Sequence, residues 1–354
     1  MAGRDAFCPA IRGVIILGEA PDTLASMTTP GLPLHRGDEG SAIRDLHRRL
    51  AAAGFTDLGE LEYFDADTER AIKDFQASRR LVEDGVCARQ TWAALIEADN
   101  RLGDRMLYLR SPMTRGDDVT DLQQRLGSLG FDAGYVDGIF GPDTETAVRS
   151  FQHNQGVTAD GVVGPDTVLT LGRLAGRRSG EKTIAEVREA ERLRTAPRGV
   201  AGRRLVIGEA GGLPAVADAL AKRLRLDGAD VLTLHHPDLS TQARAANDWG
   251  GAVYVGLTLA TDEWSVAYFC TDGFVSAGGQ SLASRCESEL SPLLGVSVPA
   301  TGMRIPILRE TRMPAVWCRI GPPPRVVESA PRVAEALQQA VTRWCGHPLD
   351  EEDD

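Results

Sequence analysis

Few residues in this chain have a type and spacing that could do chemistry. His235 and His236 are adjacent, and Asp238 follows two positions later, a set of the kind that binds a divalent metal. Neighbouring residues on a strand point to opposite faces, so the two imidazoles cannot meet one ion unless the strand has ended, and a rim position fits them better. Cys270, Cys286 and Cys318 lie in apolar runs with no histidine placed to take a thiol proton, which favours packing over nucleophilic catalysis. The turn Gly208-Glu209-Ala210-Gly211-Gly212 fails the spacing of a G-x-G-x-x-G dinucleotide loop, and no acidic partner follows at the expected distance.

The elements that must position these residues alternate. Apolar runs at 205–207, 231–234, 253–259, 266–270 and 315–320 read as strands. Amphipathic stretches at 214–226, 241–249, 280–294 and 332–345 read as helices. This order predicts an α/β domain at 203–346, a mostly parallel sheet covered by helices on both faces, with function at the carboxyl ends of the strands. Residues 175–202 are polar and broken by Gly and Pro, a linker with one short helix at 184–193.

The first half of the chain is a duplication with an offset of 76 residues: Gly40 lies over Gly116, Phe55 over Phe131, Gln76 over Gln152 and Asp84 over Asp160. In each copy, apolar residues at i, i+3 and i+7 (Ile43, Leu46, Leu50; Val119, Leu122, Leu126) mark one face of a helix. A Gly-Phe stop follows. Asp67-Thr68 or Asp143-Thr144 then caps a second helix, and Thr91 or Thr167 starts a third. The expectation is two all-α three-helix units, at 31–100 and 101–174. Residues 1–30 read as an extension, either an unstructured one or an over-called start ahead of Met27, and 347–354 as an acidic tail.

Composition narrows the class of partner. With 354 residues, 42% hydrophobic and 25% charged, the chain has material for two or three globular domains. A net charge of −11 argues against nucleic acid and anionic membranes, which need a basic face. Six scattered cysteines form no disulfide framework and suit a reducing compartment. The run 14–17 is too short for a secretory h-region, and no transmembrane stretch is present, so a cytoplasmic location is expected.

Two resemblances add to these readings. The pattern G-x-x-[IV]-x-x-L-x-x-x-L, then D-G-x-F-G-P-x-T, F-Q and D-G-[VI]-x-G, resembles the peptidoglycan-binding-like domain. The second copy carries it as Asp137, Gly138, Phe140, Gly141, Asp143 and Thr144, followed by Phe151, Gln152, Asp160, Gly161 and Gly164. Those residues either build the bundle or bind glycan. The first copy departs from the pattern, with Leu61 and Glu62 in place of Asp-Gly and Asp65 in place of Gly.

Three C-terminal segments, RRLVIGEAGG, ARAANDWGGAVYVGLTLA and LRETRMPAVWCRIGP, resemble the zinc-dependent N-acetylmuramoyl-L-alanine amidases. That resemblance implies zinc held by His, Glu and His, with a catalytic glutamate. Carried onto this chain, the four positions fall on Ala210, Leu213, Thr258 and Arg319, a vestigial pocket without a metal site, cofactor or catalytic residue. A buried Arg319 needs a carboxylate, and Glu209, Glu310 and Asp262 are the candidates. Either this pair plugs the pocket or Arg319 holds an anionic ligand.

Two such repeats joined to a degenerate amidase resemble homologues of mycobacteria and related actinobacteria. Those are regarded as regulators of peptidoglycan precursor synthesis, acting on UDP-N-acetylglucosamine 1-carboxyvinyltransferase under serine/threonine kinase control. The kinase input is associated there with threonines in a C-terminal tail, whereas here no Ser or Thr follows Thr342. The resemblance therefore implies a non-catalytic regulator working by protein contact. Two alternatives are an amidase with displaced ligands and a module that binds peptidoglycan or a precursor.

Overall fold

The structure, a computed structural model, describes residues 14–16, 31–55, 62–174 and 183–349. The first repeat is α1 (Ser41–Ala52), α2 (Ala66–Ser78) and α3 (Arg89–Ala98); the second is α4 (Asp117–Ser128), α5 (Pro142–Gln155) and α6 (Pro165–Leu174). The apolar stripes read from the sequence form separate cores, one around Ile43, Leu46, Leu50, Ile72 and Phe75, the other around Val119, Leu122, Leu126, Val148 and Phe151. The Gly-Phe stops serve both copies alike. Gly54 and Gly130 take left-handed backbone, and Phe55 and Phe131 each meet the next helix's phenylalanine edge-on, with ring centroids 5.5 Å apart. The cap of α2 is Asp65 rather than Asp67: its carboxylate accepts the Thr68 amide. Helix α5 instead starts with Pro142 in its first turn, after Gly141.

Helix α7 (Ile184–Thr195) lies in the expected linker. The C-terminal domain contains β2 (Arg204–Glu209), α8 (Pro214–Leu226), β3 (Asp230–His235), α9 (Leu239–Trp249), β4 (Val253–Leu259), β5 (Ser265–Thr271), β6 (Phe274–Val275), α10 (Ala277–Leu294), β7 (Ala300–Met303), α11 (Pro306–Glu310), β8 (Ala315–Ile320) and α12 (Pro323–Gly346). One further strand, β1 (Val14–Ile16), precedes the repeats.

The sheet order is β1-β3-β2-β4-β8-β5-β6, with β7 beside β5. Strands β1, β3, β2, β4 and β8 are parallel, β5 runs antiparallel to β8, and β6 antiparallel to β5. One apolar layer beneath α8, α10 and α12 and another beneath α9 and α11 cover the two faces. The α/β reading therefore holds, with three differences. Three residues of the expected extension, Val14–Ile16, pair with β3 instead of lying free of the domains. The last helix begins at Pro323 rather than 332, because Pro331 is accommodated inside it. Strands β6 and β7 and helix α11 were not expected, being too short to show a period.

Candidate functional site

Ala210, Leu213, Thr258 and Arg319 meet at one place, the carboxyl ends of the neighbouring strands β2, β4 and β8. Thr258 and Arg319 are register partners across β4 and β8, and the Ala210 amide donates to the Leu257 carbonyl at 3.1 Å. The turn that carries Ala210 is held from inside. One oxygen of the Glu209 carboxylate accepts the amides of Gly211 and Leu213, both at 2.8 Å, tying β2 to the first turn of α8. Gly212 has a left-handed φ of 87°, and a Cβ there would stand 2.7 Å from the Leu259 side chain, so the paired glycine is a packing requirement.

Arg319 is half-buried rather than buried, with 29% of its side chain exposed, and its partner is none of the three carboxylates expected. Its guanidinium pairs with Glu263 at 2.5 Å, on the loop between β4 and β5. Glu209 is occupied by the turn, and Glu310 pairs with Arg115 of the second repeat at 2.6 Å. Asp262 stands beside Glu263 in the lining of an open cavity of ≈ 490 Å³ that includes Trp264 and Arg325.

His235 and His236 part company as strand geometry requires. His235 Nδ1 lies 3.4 Å from Glu209 and its Nε2 3.8 Å from Asp218, whereas His236 Nδ1 accepts the Asp238 amide at 3.0 Å. Among the described residues no group of three or more His, Cys, Asp or Glu is placed to hold a metal ion. Cys87, Cys270, Cys286, Cys318 and Cys345 are buried free thiols; Cys8 lies outside the described residues.

In the second repeat, the signature residues make a polar knot. Gln123 donates to Asp137 at 2.8 Å, to the Ile139 carbonyl and to Thr144 at 3.2 Å, and accepts the Gly138 amide at 2.8 Å. Gln152 repeats the pattern with Asp160, Val162, Thr167 and Gly161, as Gln76 does with Asp84, Val86, Thr91 and Gly85. Burial raises the Asp137 carboxyl pKa. Phe140 is core, Thr144 is buried, Gly141 precedes α5 and Asp143 is exposed. The first repeat has His47 in the place of Gln123, bonded to the matching Thr68; Leu61 lies outside the described residues.

The Asp137–Gly138 turn does not face open solvent. Arg309, from α11, donates through Nε to the Asp137 carbonyl and through Nη2 to the Gly138 carbonyl at 3.2 Å. The same guanidinium grips both oxygens of Glu97, in α3 of the first repeat, at 2.9 Å. Arg304 stands 3.4 Å from Glu97 and 3.8 Å from Asp117; burial, with Arg309 alongside, lowers its pKa to about 10. Of the residues just before this turn, Val136 enters the C-terminal core and Tyr135 packs against it, its ring 5.0 Å from Phe274 and 6.4 Å from Phe269. Helix α7 joins them. Its buried Glu189 accepts from Ser276 at 2.7 Å, from the Ala277 amide at 3.0 Å and from Tyr135 at 3.4 Å.

Sequence reasoning missed these contacts, although one signal was available. Position 97 corresponds to position 173 at the offset of 76, and Glu there faces Arg in the sister copy. Arg80 likewise matches Gly156. It keeps the glycine-like left-handed φ of 53° while its carbonyl accepts the Arg304 amide at 2.9 Å and its guanidinium lies 3.7 Å from Asp272. No helix among the described residues is long and apolar enough to cross a membrane.

The family model described as "Putative peptidoglycan binding domain" matches residues 39–95 and 115–171, two intervals set 76 residues apart. N-acetylmuramoyl-L-alanine amidase CwlM of Mycobacterium tuberculosis is 32% identical over 335 residues, covering 82% of this chain and 82% of that protein. CwlL of Bacillus licheniformis, named as an N-acetylmuramoyl-L-alanine amidase, is 31% identical over 171 residues, with 42% and 48% covered. A crystal structure of N-acetylmuramoyl-L-alanine amidase from Clostridium difficile 630 matches 41% of this chain and 97% of its own, at 16% identity and a TM-score of 0.36. At the identity and coverage shared with CwlM, the chain belongs to that family of N-acetylmuramoyl-L-alanine amidase homologues, with two peptidoglycan-binding repeats joined to an amidase-like α/β domain.

Proposed function

We propose that this amidase-like protein is a non-catalytic regulator of peptidoglycan precursor synthesis. In this reading it acts in the cytoplasm by contact with an early-pathway enzyme such as UDP-N-acetylglucosamine 1-carboxyvinyltransferase. The observation that carries the first half is the pairing of Arg319 with Glu263 at the carboxyl ends of the central strands, where amidase chemistry needs zinc and a free glutamate. The residues there do not suit a zinc ion. Ala210 and Leu213 offer no lone pair, Thr258 offers only a hydroxyl, and Arg319 brings a fixed cation. The one nearby carboxylate at the end of β2, Glu209, is engaged by two backbone amides. Five buried free thiols suit a reducing compartment.

The partner is the part of this reading taken from family resemblance. Its test is direct: mixing the purified chain with the carboxyvinyltransferase raises transferase turnover, and unchanged turnover over a range of ratios removes that partner. A second reading, a module that binds peptidoglycan or a precursor, is favoured by the match of both repeats to the peptidoglycan-binding model. Retention on insoluble peptidoglycan supports it, and passage of the chain unbound counts against it. An amidase with displaced ligands requires stoichiometric zinc and release of stem peptide from muropeptides.

A further inference from the structure

We infer that the first repeat is a latch on the second: Glu97, held by Arg304 and Arg309, keeps the Asp137–Gly138 turn closed against α11, and release of the first repeat opens that turn.

One guanidinium joins all three domains. The Arg309 donors are divided among the two oxygens of Glu97 and the carbonyls of Asp137 and Gly138, so Glu97 balances the charge that grips the turn. Glu97, Arg304 and Arg309 are each more than nine-tenths buried. Removing the carboxylate leaves two buried cations short of a partner, and their grip on the turn must rearrange.

The first repeat is also the part built to leave. Its apolar core is self-contained, and no residue of it belongs to the core clusters of the other domains among the described residues. Its contacts with them among the described residues include several between polar groups. Besides Glu97, Arg79 pairs with Asp117 at 2.6 Å, the Arg80 carbonyl accepts the Arg304 amide, and the Arg80 guanidinium lies near Asp272. The second repeat is fastened differently, with Val136 inside the C-terminal core and Tyr135 packed against it. Release therefore separates the first repeat while leaving the second docked. The duplication explains how such a device arises. Copy one lacks the Asp-Gly turn of copy two and carries Glu97 where copy two has Arg173, so one copy closes the turn that the other displays.

The consequence for glycan rests on the reading of the second repeat as a glycan-binding module; the latch itself does not. Hydrogen exchange on the full chain tests both, with Glu97→Gln compared with wild type and with Glu83→Gln, an exposed glutamate of the same repeat, as control. The latch predicts that exchange at residues 137–139 rises by about tenfold or more in Glu97→Gln, with protection in α1 and α2 retained. Arg309→Lys, which keeps the charge and removes the fork from the other side of the contact, must act in the same direction with every residue of the first repeat unchanged. Unchanged exchange at 137–139 in both variants overturns the latch. Insoluble peptidoglycan is then added to each protein. Greater retention of the variants supports gating of glycan, whereas faster exchange without retention leaves the latch standing and removes the glycan reading.

Discussion

Arg309 donates two hydrogen bonds of 2.9 Å to the carboxylate of Glu97, 212 residues earlier in the chain, and both side chains are buried. A pair in that setting adds little net stability compared with apolar residues of the same volume, yet breaking it from one side is expensive. Glu97→Met or Arg309→Met alone is expected to cost about 3–5 kcal/mol. The double variant is expected to cost less than the sum, because each change removes the charge that the other leaves stranded. Denaturant midpoints of the four proteins measure this coupling, and simple additivity would contradict it.

The knot around Gln123 gives a second expectation. Replacing Gln123 with Leu leaves the buried Gly138 amide without its acceptor, and the half-buried Asp137 and buried Thr144 short of a donor. The loss is expected to be about 3 kcal/mol. Denaturant midpoints of wild type and variant measure the loss, and an unchanged midpoint would show that the signature residues are not held by this knot.

Arg80 and Gly156 occupy matching positions with left-handed backbone, at φ 53° and 68°. Only glycine adopts that conformation without strain, so Arg80→Gly is expected to relieve about 1 kcal/mol. The ion pair it loses, with Asp272, is solvent-exposed and contributes little. Thermal unfolding is expected to show a neutral or slightly stabilised variant. A marked loss of stability would mean that the exposed pair matters more than the backbone.

Acidity offers a separate handle on α7. Burial, opposed by hydrogen bonds from Ser276 and Ala277, holds the Glu189 pKa above its usual value of 4.5. A carboxyl with a raised folded-state pKa contributes stability that is fully present below its unfolded value and fades as pH rises through its folded value. The stability advantage of wild type over Glu189→Gln is therefore expected to be larger below about pH 4.5 than at neutral pH. Denaturation at the two pH values checks the sign, and a larger advantage at neutral pH would reverse it.

Burial, with Asp84 adding to it, pushes the Cys87 thiol up to about 12, so it carries no thiolate under ordinary conditions. Iodoacetamide at about pH 8 is expected to leave Cys87 unlabelled in the folded protein and to label it in guanidinium. Rapid labelling of the folded chain would show that α3 and its neighbours open readily.

The parts legible in the sequence were those with a period. The duplication set the offset that both structure and family match reproduce, and strand 253–259 and helix 214–226 fall within the bounds read from apolar spacing. Ala210, Thr258 and Arg319 lie together at the strand ends, with Leu213 linked to them through Glu209. What escaped had no period to reveal it. Glu97 looks like any charge on a helix surface until another domain covers it, and Arg309 looks like part of an amidase motif until it is seen holding the Gly138 carbonyl. The Arg319 partner was misassigned because Glu263 lies on a loop whose path depends on β5 running antiparallel to β8. A linker read from its Gly and Pro content proved to contain a buried glutamate, because composition describes the ends of α7 and not the face it packs.

The central claim is that the strand ends hold an ion pair where the amidases have metal chemistry, and zinc content measured together with amide hydrolysis tests it most directly. The chain purified with zinc present is expected to hold far less than one equivalent and to release no stem peptide from muropeptides. Alanine substitution of Arg319 or Glu263 is expected to change neither result. One zinc per chain accompanied by release of stem peptide would contradict the account.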